Sequence, residues 1–399
     1  MSGPDPAVAA VRVAVRRILS GSLPAAAVPP APTSDPAVSA PAASAPAGPQ
    51  ALAPPGAGAA GRLLLVACSG GPDSVALAAA VAFEAPGLGV RAGLVTVDHG
   101  LQPGSAERAA AVAELGAKLG LDPVLVRRVE VGTVGGPEGA ARTARYAALA
   151  DAARDSGAAG VLLGHTLDDQ AETVLLGLGR GSGPRSVAGM RPVDPPWLRP
   201  LLGVRRASTA AACVAEGLPT WADPHNVDPR FTRSRLRHEV LPLLEDVLAG
   251  GAAEALARTA ELVRADLDAL DAEAAAVHAA LAGPCPTCAA PSAEPPDPGR
   301  SADPAGIADP GGIADLAGIA DPARATLDAV ALAAYAPAIR TRVLRTWLRA
   351  AGVTAPTAPH LTALDATVDD WHGQGPVALP GGLAAFRRHG RLHLGRPAR

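Results

Sequence analysis

The chain has 399 residues and a net charge of −3, which excludes blanket coating of nucleic acid but not a local basic patch. Hydrophobics reach 48% only through abundant alanine, aromatics are 2%, and Gly (44) and Pro (41) are both plentiful, the composition of two or three domains diluted by Ala/Pro/Gly tracts. Four cysteines (Cys68, Cys213, Cys285, Cys288) give no disulfide framework, no apolar run approaches the ~18 residues of a membrane span, and Arg12, Arg16 and Arg17 interrupt any signal-peptide core, so a soluble cytoplasmic protein is expected.

Residues 6–20 read as an amphipathic helix with Val8, Val11, Val15, Ile18 and Leu19 on one face. Residues 22–60 read as a disordered Ala/Pro-rich linker. From Arg62 the pattern alternates. Strands are predicted at 62–67, 91–97, 123–130 and 159–163, and helices at 73–84, 104–119, 137–156 and 166–179. This alternation predicts an α/β fold with a doubly wound parallel sheet, Rossmann-like, whose ligands sit beyond the carboxyl ends of the strands.

The first strand ends in Ser69-Gly70-Gly71-Pro72-Asp73-Ser74. Glycines permit a sharp turn and close backbone approach, the serines add hydroxyls, and the following helix N-terminus favours an anion. The Gly-Lys-Ser/Thr ending of a P-loop and the glycine spacing of a dinucleotide fingerprint are both missing. The second strand ends at Asp98-His99, either a nucleotide contact or an Asp capping a turn.

In the helix at 137–156, Arg142 and Arg145 share a face and suit a polyphosphate or a tRNA phosphate. The helix at 166–179 opens with His165, Asp168, Asp169 and Glu172 at i, i+3, i+4 and i+7. Thr166 with Asp169 reads as a capping box, and four ionisable groups on one face exceed what capping needs. A Mg²⁺ ion, an ammonium substrate or proton transfer would each use such a cluster. A glycine-rich loop follows, Gly179-Arg180-Gly181-Ser182-Gly183, a weak phosphate signal taken alone.

Helix is predicted at 205–216 and 231–282, and Arg230, Arg233, Arg235 and Arg237 form the strongest nucleic-acid patch in the chain. Residues 283–325 are low-complexity, with Gly-Ile-Ala-Asp repeated at 306, 312 and 318, too few rungs for a β-helix. Residues 326–371 read as helical, and 376–394 as short strands around a Pro380-Gly381-Gly382 turn. The expected domains are an N-terminal helix (1–21), linker (22–60), α/β domain (61–228), helical arginine-rich segment (229–282), insert (283–325) and a small α+β C-terminal domain (326–399).

The Ser-Gly-Gly-Pro-Asp-Ser string resembles the pyrophosphate loop of the N-type ATP pyrophosphatases, the PP-loop superfamily. Together with Val-Asp-His-Gly-Leu, Ala-Arg-Thr-Ala-Arg-Tyr, Gly-His-Thr-x-Asp-Asp-Gln-x-Glu-Thr, Arg-Gly-Ser-Gly and Arg-x-Arg-Leu-Arg-His-Glu-Val-Leu-Pro, in order over 61–245, it resembles the tRNA(Ile)-lysidine synthetases. The tail at 326–399 is loosely similar to that family's smaller substrate-binding domain. Residues 1–60 and 283–325 depart from the pattern and are given no role. The additional C-terminal domain of longer members is expected to be missing.

The resemblance implies that ATP with Mg²⁺ adenylates the wobble cytidine of a CAU-anticodon tRNA(Ile). L-lysine then displaces AMP, forming lysidine. It implies ATP contacts from Ser69, Gly70, Gly71, Pro72, Asp73, Ser74, Asp98 and His99, with Asp73 also a Mg²⁺ ligand. Arg142 would offset charge on the reacting phosphate. His165, Asp168, Asp169 and Glu172 would receive the lysine ammonium and supply a base. Arg145, Arg180, Arg230, Arg233, Arg235 and Arg237 would hold tRNA. No membrane partner is expected, and oligomeric state stays open, a homodimer among the options.

The rival readings are a tRNA thiolase of the same superfamily, a small-molecule amidating ligase and a non-catalytic tRNA-binding protein. A thiolase typically needs paired cysteines near the site, and the sequence offers Cys68 no obvious partner. The arginine patch weighs against the small-molecule ligase. An intact loop together with the His/Asp/Asp/Glu face weighs against a binder without catalysis.

Overall fold

The computed structural model describes residues 3–21, 61–100, 104–129, 136–181, 183–221, 228–283 and 326–396. The predicted linker at 22–60, Ser182, residues 222–227, and residues 284–325 with Cys285 and Cys288 lie outside the described residues. Described residues up to Arg264 form one compact unit, and those from Ala265 onward form a second.

The first unit runs α1 (Pro6–Leu19), β1 (Leu63–Ala67), α2 (Pro72–Glu84), β2 (Arg91–Asp98), α3 (Ser105–Lys118), β3 (Val124–Arg128), α4 (Gly136–Ser156), β4 (Gly160–Leu163) and α5 (Leu167–Gly179). It continues through α6 (Pro184–Val187), β5 (Val193–Asp194), β6 (Trp197–Leu198), α7 (Arg206–Ala215), α8 (Thr232–Arg235), α9 (Leu241–Val247) and the start of α10 (Ala252–Leu281). The sheet order is β3-β2-β1-β4-β6-β5, parallel except for the β5–β6 pair. The expected doubly wound α/β fold is what the chain adopts.

Strand β1 is central, with Val66 in register with Leu94 on one side and Leu162 on the other. Alternate side chains feed two cores, as a two-residue strand period requires. Leu64, Val66, Leu94 and Leu162 pack with α1, α2, α3 and α7, while Leu63, Leu65, Val95 and Val161 pack with α4. The N-terminal helix is thus part of this unit, with Val8, Val11, Val15 and Leu19 buried.

Sequence and structure part company in three places. The two-residue strands β5 and β6 are too short to leave a periodic signal. The helix predicted over 231–282 is broken: α8 passes through a π turn at Leu236–Val240 into α9, and Ala249, Gly250 and Gly251, all at positive φ, reverse the chain before α10. Residues 326–328, predicted helical, form a strand because Leu327 pairs with Leu392.

The second unit holds the rest of α10, then β7 (Thr326–Asp328), α11 (Ala329–Leu332), α12 (Pro337–Ala350), α13 (Ala358–Asp369), β8 (Val377–Leu379), β9 (Leu383–Arg388) and β10 (Arg391–Gly395). Its antiparallel sheet has the order β7-β10-β9-β8. Trp347, Leu344, Leu348 and Leu364 are fully buried against it. Gly381 and Gly382 at φ 81° and 70° close the β8–β9 hairpin at the predicted turn. No helix among the described residues is long and apolar enough to cross a membrane.

Candidate active site

The carboxyl end of β1 delivers the chain into a glycine turn that the fold locks from several sides. Gly70 sits at φ 86°, a conformation open to glycine, and its carbonyl accepts the Trp221 N–H at 2.9 Å. Ser74 is buried on the first turn of α2. Its hydroxyl donates to the Gly71 carbonyl (2.9 Å) and accepts the Ser69 N–H (3.1 Å). Gly164, after β4, lies so close that a β-carbon there would stand 3.1 Å from the Asp73 carbonyl. Among the described residues no side chain caps α2. Bare glycine backbone before an uncapped helix N-terminus fits a polyphosphate.

Asp73, on the first turn of α2, reaches α7. Its carboxylate accepts the Thr209 hydroxyl, and Arg206 Nε lies 3.5 Å away. Burial raises its pKa despite both partners.

The carboxylates at the start of α5 meet the same arginine. Thr166 and Asp169 form the predicted capping box, Asp169 Oδ2 accepting the Thr166 N–H at 2.8 Å. Asp169 Oδ1 accepts from Arg206 (2.7 Å) and Arg237 (3.3 Å). Burial opposes ionisation of Asp169, but Arg206, the Thr166 N–H and Arg237 outweigh it and hold its pKa below the usual range. Glu172 is 0% exposed, with Arg237 at 2.9 Å, Arg206 at 3.4 Å and Arg233 at 3.8 Å. Asp168 accepts the Arg206 backbone N–H at 2.7 Å and lies 3.4 Å from Arg205. Buried carboxylates demand such partners.

Arg205, Arg206 and Thr209 were not singled out by the sequence reading. A signal existed: Arg205 and Arg206 stand at the N-cap and first position of α7, where the helix dipole disfavours cations. The acids of α5 and α2 supply the compensation.

His165 Nδ1 is buried without a hydrogen-bond partner among the described residues. Burial, with Arg199, Arg145 and Arg142 nearby, lowers its pKa to about 3 against the pull of Asp169. It is therefore a neutral imidazole at physiological pH. Arg145 and Arg142 both lie over the Tyr146 ring, at 5.6 and 5.0 Å. Arg142 is exposed, while Arg145 is half-buried and senses Asp169 and Arg233. Asp98 accepts the Gly100 N–H at 2.9 Å and a Ser105 hydrogen bond that lowers its pKa, so its carboxylate shapes the loop after β2, with His99 beside it.

Family models match in two places: a PP-loop domain at residues 50–244 and a TilS substrate binding domain at 327–393. The chain is 48% identical over 395 residues to a tRNA(Ile)-lysidine synthase of Streptomyces coelicolor, covering 98% of each chain. The chain belongs to the tRNA(Ile)-lysidine synthase family. A tRNA(Ile)-lysidine synthase of Thermobifida fusca is 48% identical over 394 residues (98% of each chain), and one of Mycobacterium tuberculosis is 49% identical over 285 residues (70% of this chain, 75% of that one).

The arginine patch of this family member divides in two. Arg233 and Arg237 turn inward to Glu172, whereas Arg230 and Arg235 are exposed and pair with Asp228 (2.6 Å) and Glu239 (2.8 Å). Arg180 is exposed at the C-cap of α5. A cavity of about 320 Å³ opens beside the acidic cluster, lined by Asp168, Arg205, Arg206, Arg237 and Glu245 with Leu241 and Ala210 as apolar wall. Cys68 and Cys213 are free and buried, and burial raises both thiol pKa values, that of Cys213 to about 11.

Proposed function

We propose that this chain joins the side-chain amine of L-lysine to C2 of the wobble cytidine in a CAU-anticodon tRNA(Ile), at the expense of ATP. The observation that carries the reading is Arg206, which touches both the phosphate-loop carboxylate Asp73 and the acidic pair Asp169 and Glu172. One guanidinium thereby links a polyphosphate seat to an ammonium seat, as adenylation followed by amine attack requires.

Gly70, Gly71 and the α2 N-terminus hold the ATP phosphates. Asp73 is the carboxylate assigned to Mg²⁺, and among the described residues no group of three or more His, Cys, Asp or Glu side chains converges on a metal position. One carboxylate plus phosphate oxygens suits this ion, whose contribution when bound is to neutralise charge on the departing pyrophosphate. Arg145, turned inward, is assigned with Arg142 to the reacting phosphate.

Lysine enters the cavity beside Asp168, its methylene stem against Leu241 and its carboxylate toward Arg205. A lysine amine titrates near ~10.4, so attack needs deprotonation. Asp169, its pKa held low beside Arg206, and Glu172 are assigned to the ammonium. Asp168, at the cavity wall, takes the proton. Neutral His165 donates or accepts a hydrogen bond without adding charge. Exposed Arg180, Arg230 and Arg235 hold tRNA phosphates. We place the reaction in the cytoplasm, where tRNA, lysine and ATP meet.

Thiolation is disfavoured because Cys68 and Cys213 are buried thiols with raised pKa values, the opposite of reactive thiolates. The deciding experiment measures ATP-dependent incorporation of radiolabelled lysine into CAU-anticodon tRNA(Ile), with elongator tRNA(Met) as control. Pyrophosphate release without lysine incorporation would replace lysine by another nucleophile.

A further inference from the structure

The N-terminal helix α1 grips both helices that build the candidate site. Arg16 binds Glu84, the last residue of α2, through two hydrogen bonds of 2.7 and 2.8 Å, and Glu84 is only 6% exposed. Arg12 binds Glu216, the residue capping the end of α7, at 2.6 Å, and its guanidinium carbon lies 3.6 Å from the centroid of the Phe83 ring on α2. Between these ion pairs Val8, Val11, Val15 and Leu19 fill the core shared with Val75, Leu77, Val81 and Ala212.

The N-terminal end of α2 meets α7 in the site, from the start of α7 to its last turn. Asp73 on α2 accepts from Thr209 on α7, Arg206 approaches it from the start of α7, and the Cys213 thiol donates to the Pro72 carbonyl at 3.3 Å. Held by α1 at Glu84 and Glu216 and packed together at Pro72 and Asp73, the two helices form a frame, and the splay fixed by Arg12 and Arg16 bears on the geometry where they meet. Over the roughly 20 Å length of α2, a tilt of about 3° displaces one end by about 1 Å. Displacements of that size matter to a phosphate seat.

We infer that Arg12 and Arg16 are positioning residues for ATP: α1 sets the angle between α2 and α7, and through it the geometry of Asp73, Thr209 and Arg206. The inference rests on the family's ATP site and not on the identity of the amine, so ATP titration reads it even if lysine is not the substrate.

The test uses the full chain with Arg16→Glu, Glu84→Arg and the double variant. ATP binding is measured by calorimetry without tRNA or lysine, and tRNA binding by filter retention. Arg16→Glu is expected to weaken ATP binding about tenfold with tRNA binding unchanged, and the double variant, with the pair restored in reverse, to recover it. Wild-type ATP affinity in Arg16→Glu, or equal losses of ATP and tRNA binding, would overturn the inference and leave α1 as a stabilising element alone. If Arg16→Glu does not fold, Arg12→Ala, which keeps the buried stripe intact, is read in its place, and Arg12→Lys is expected to rescue it.

Discussion

Arg206 donates to Asp169 at 2.7 Å across 37 residues of sequence, and the same guanidinium reaches Glu172 and Asp73. Its planar fork can face several carboxylates at once, which a lysine ammonium on a flexible stem cannot. Arg206→Gln should therefore lower stability by about 2–3 kcal/mol, since breaking a buried pair strands the carboxylates while Arg237 still compensates part of their charge. Urea denaturation of the variant against the wild type measures the loss. Arg206→Lys should recover only part of it.

Asp73→Asn keeps an acceptor for the Thr209 hydroxyl but removes the charge. Pyrophosphate release should fall by about 100-fold or more, with tRNA affinity near wild type. A filter-binding assay beside a pyrophosphate assay separates the two effects. Full turnover in the variant would remove the loop from the chemistry.

The inward and outward arginines should behave differently. Arg235→Ala should weaken tRNA binding and reduce the slope of log affinity against log salt by about one unit, the signature of one lost phosphate contact. Arg237→Ala should leave that slope unchanged and abolish turnover, because its partners are Asp169 and Glu172. Salt-dependent binding curves for the pair decide the matter.

His165 gives a pH prediction with a definite sign. Its pKa is about 3 in the folded chain and near ~6.5 when unfolded. The unfolded state takes up the proton first as pH falls, so this contribution to stability is complete above pH ~6.5 and is lost progressively toward about 3. Denaturation midpoints measured from pH 7.5 to 5 should decline more steeply in the wild type than in His165→Asn. The same neutrality means that the pH–rate profile should carry no His165 inflection between pH 5 and 8.

The phosphate loop and the α5 carboxylates were legible because both are local. One is a contiguous string, and the other follows the helical spacing of His165, Asp168, Asp169 and Glu172. Arg206 was not legible from periodicity, because its contacts exist only once α7 packs beside α2 and α5. Its clue was an electrostatic conflict, two cations at a helix N-terminus. The role of Arg237 was similarly hidden: sequence reports a basic run, and only the fold reveals which of its members face a buried glutamate. The packing of α1 was invisible because an unpatterned Ala/Pro-rich stretch, residues 22–60, separates it from Gly61.

The π turn at Leu236–Val240 has an evolutionary consequence. It accommodates one more residue than an α-helical turn, and it lies between Arg233 and the continuation into α9. Deleting a single residue there would replace the wider turn by a regular α-helical one, in which each residue is turned about 100° from the next. Arg237, which lies inside the turn, would then be re-aimed relative to Arg233, which precedes it. Homologous sequences should thus tolerate substitutions on the outer face of this turn far more readily than a change in its length, and an alignment of relatives should place its gaps elsewhere.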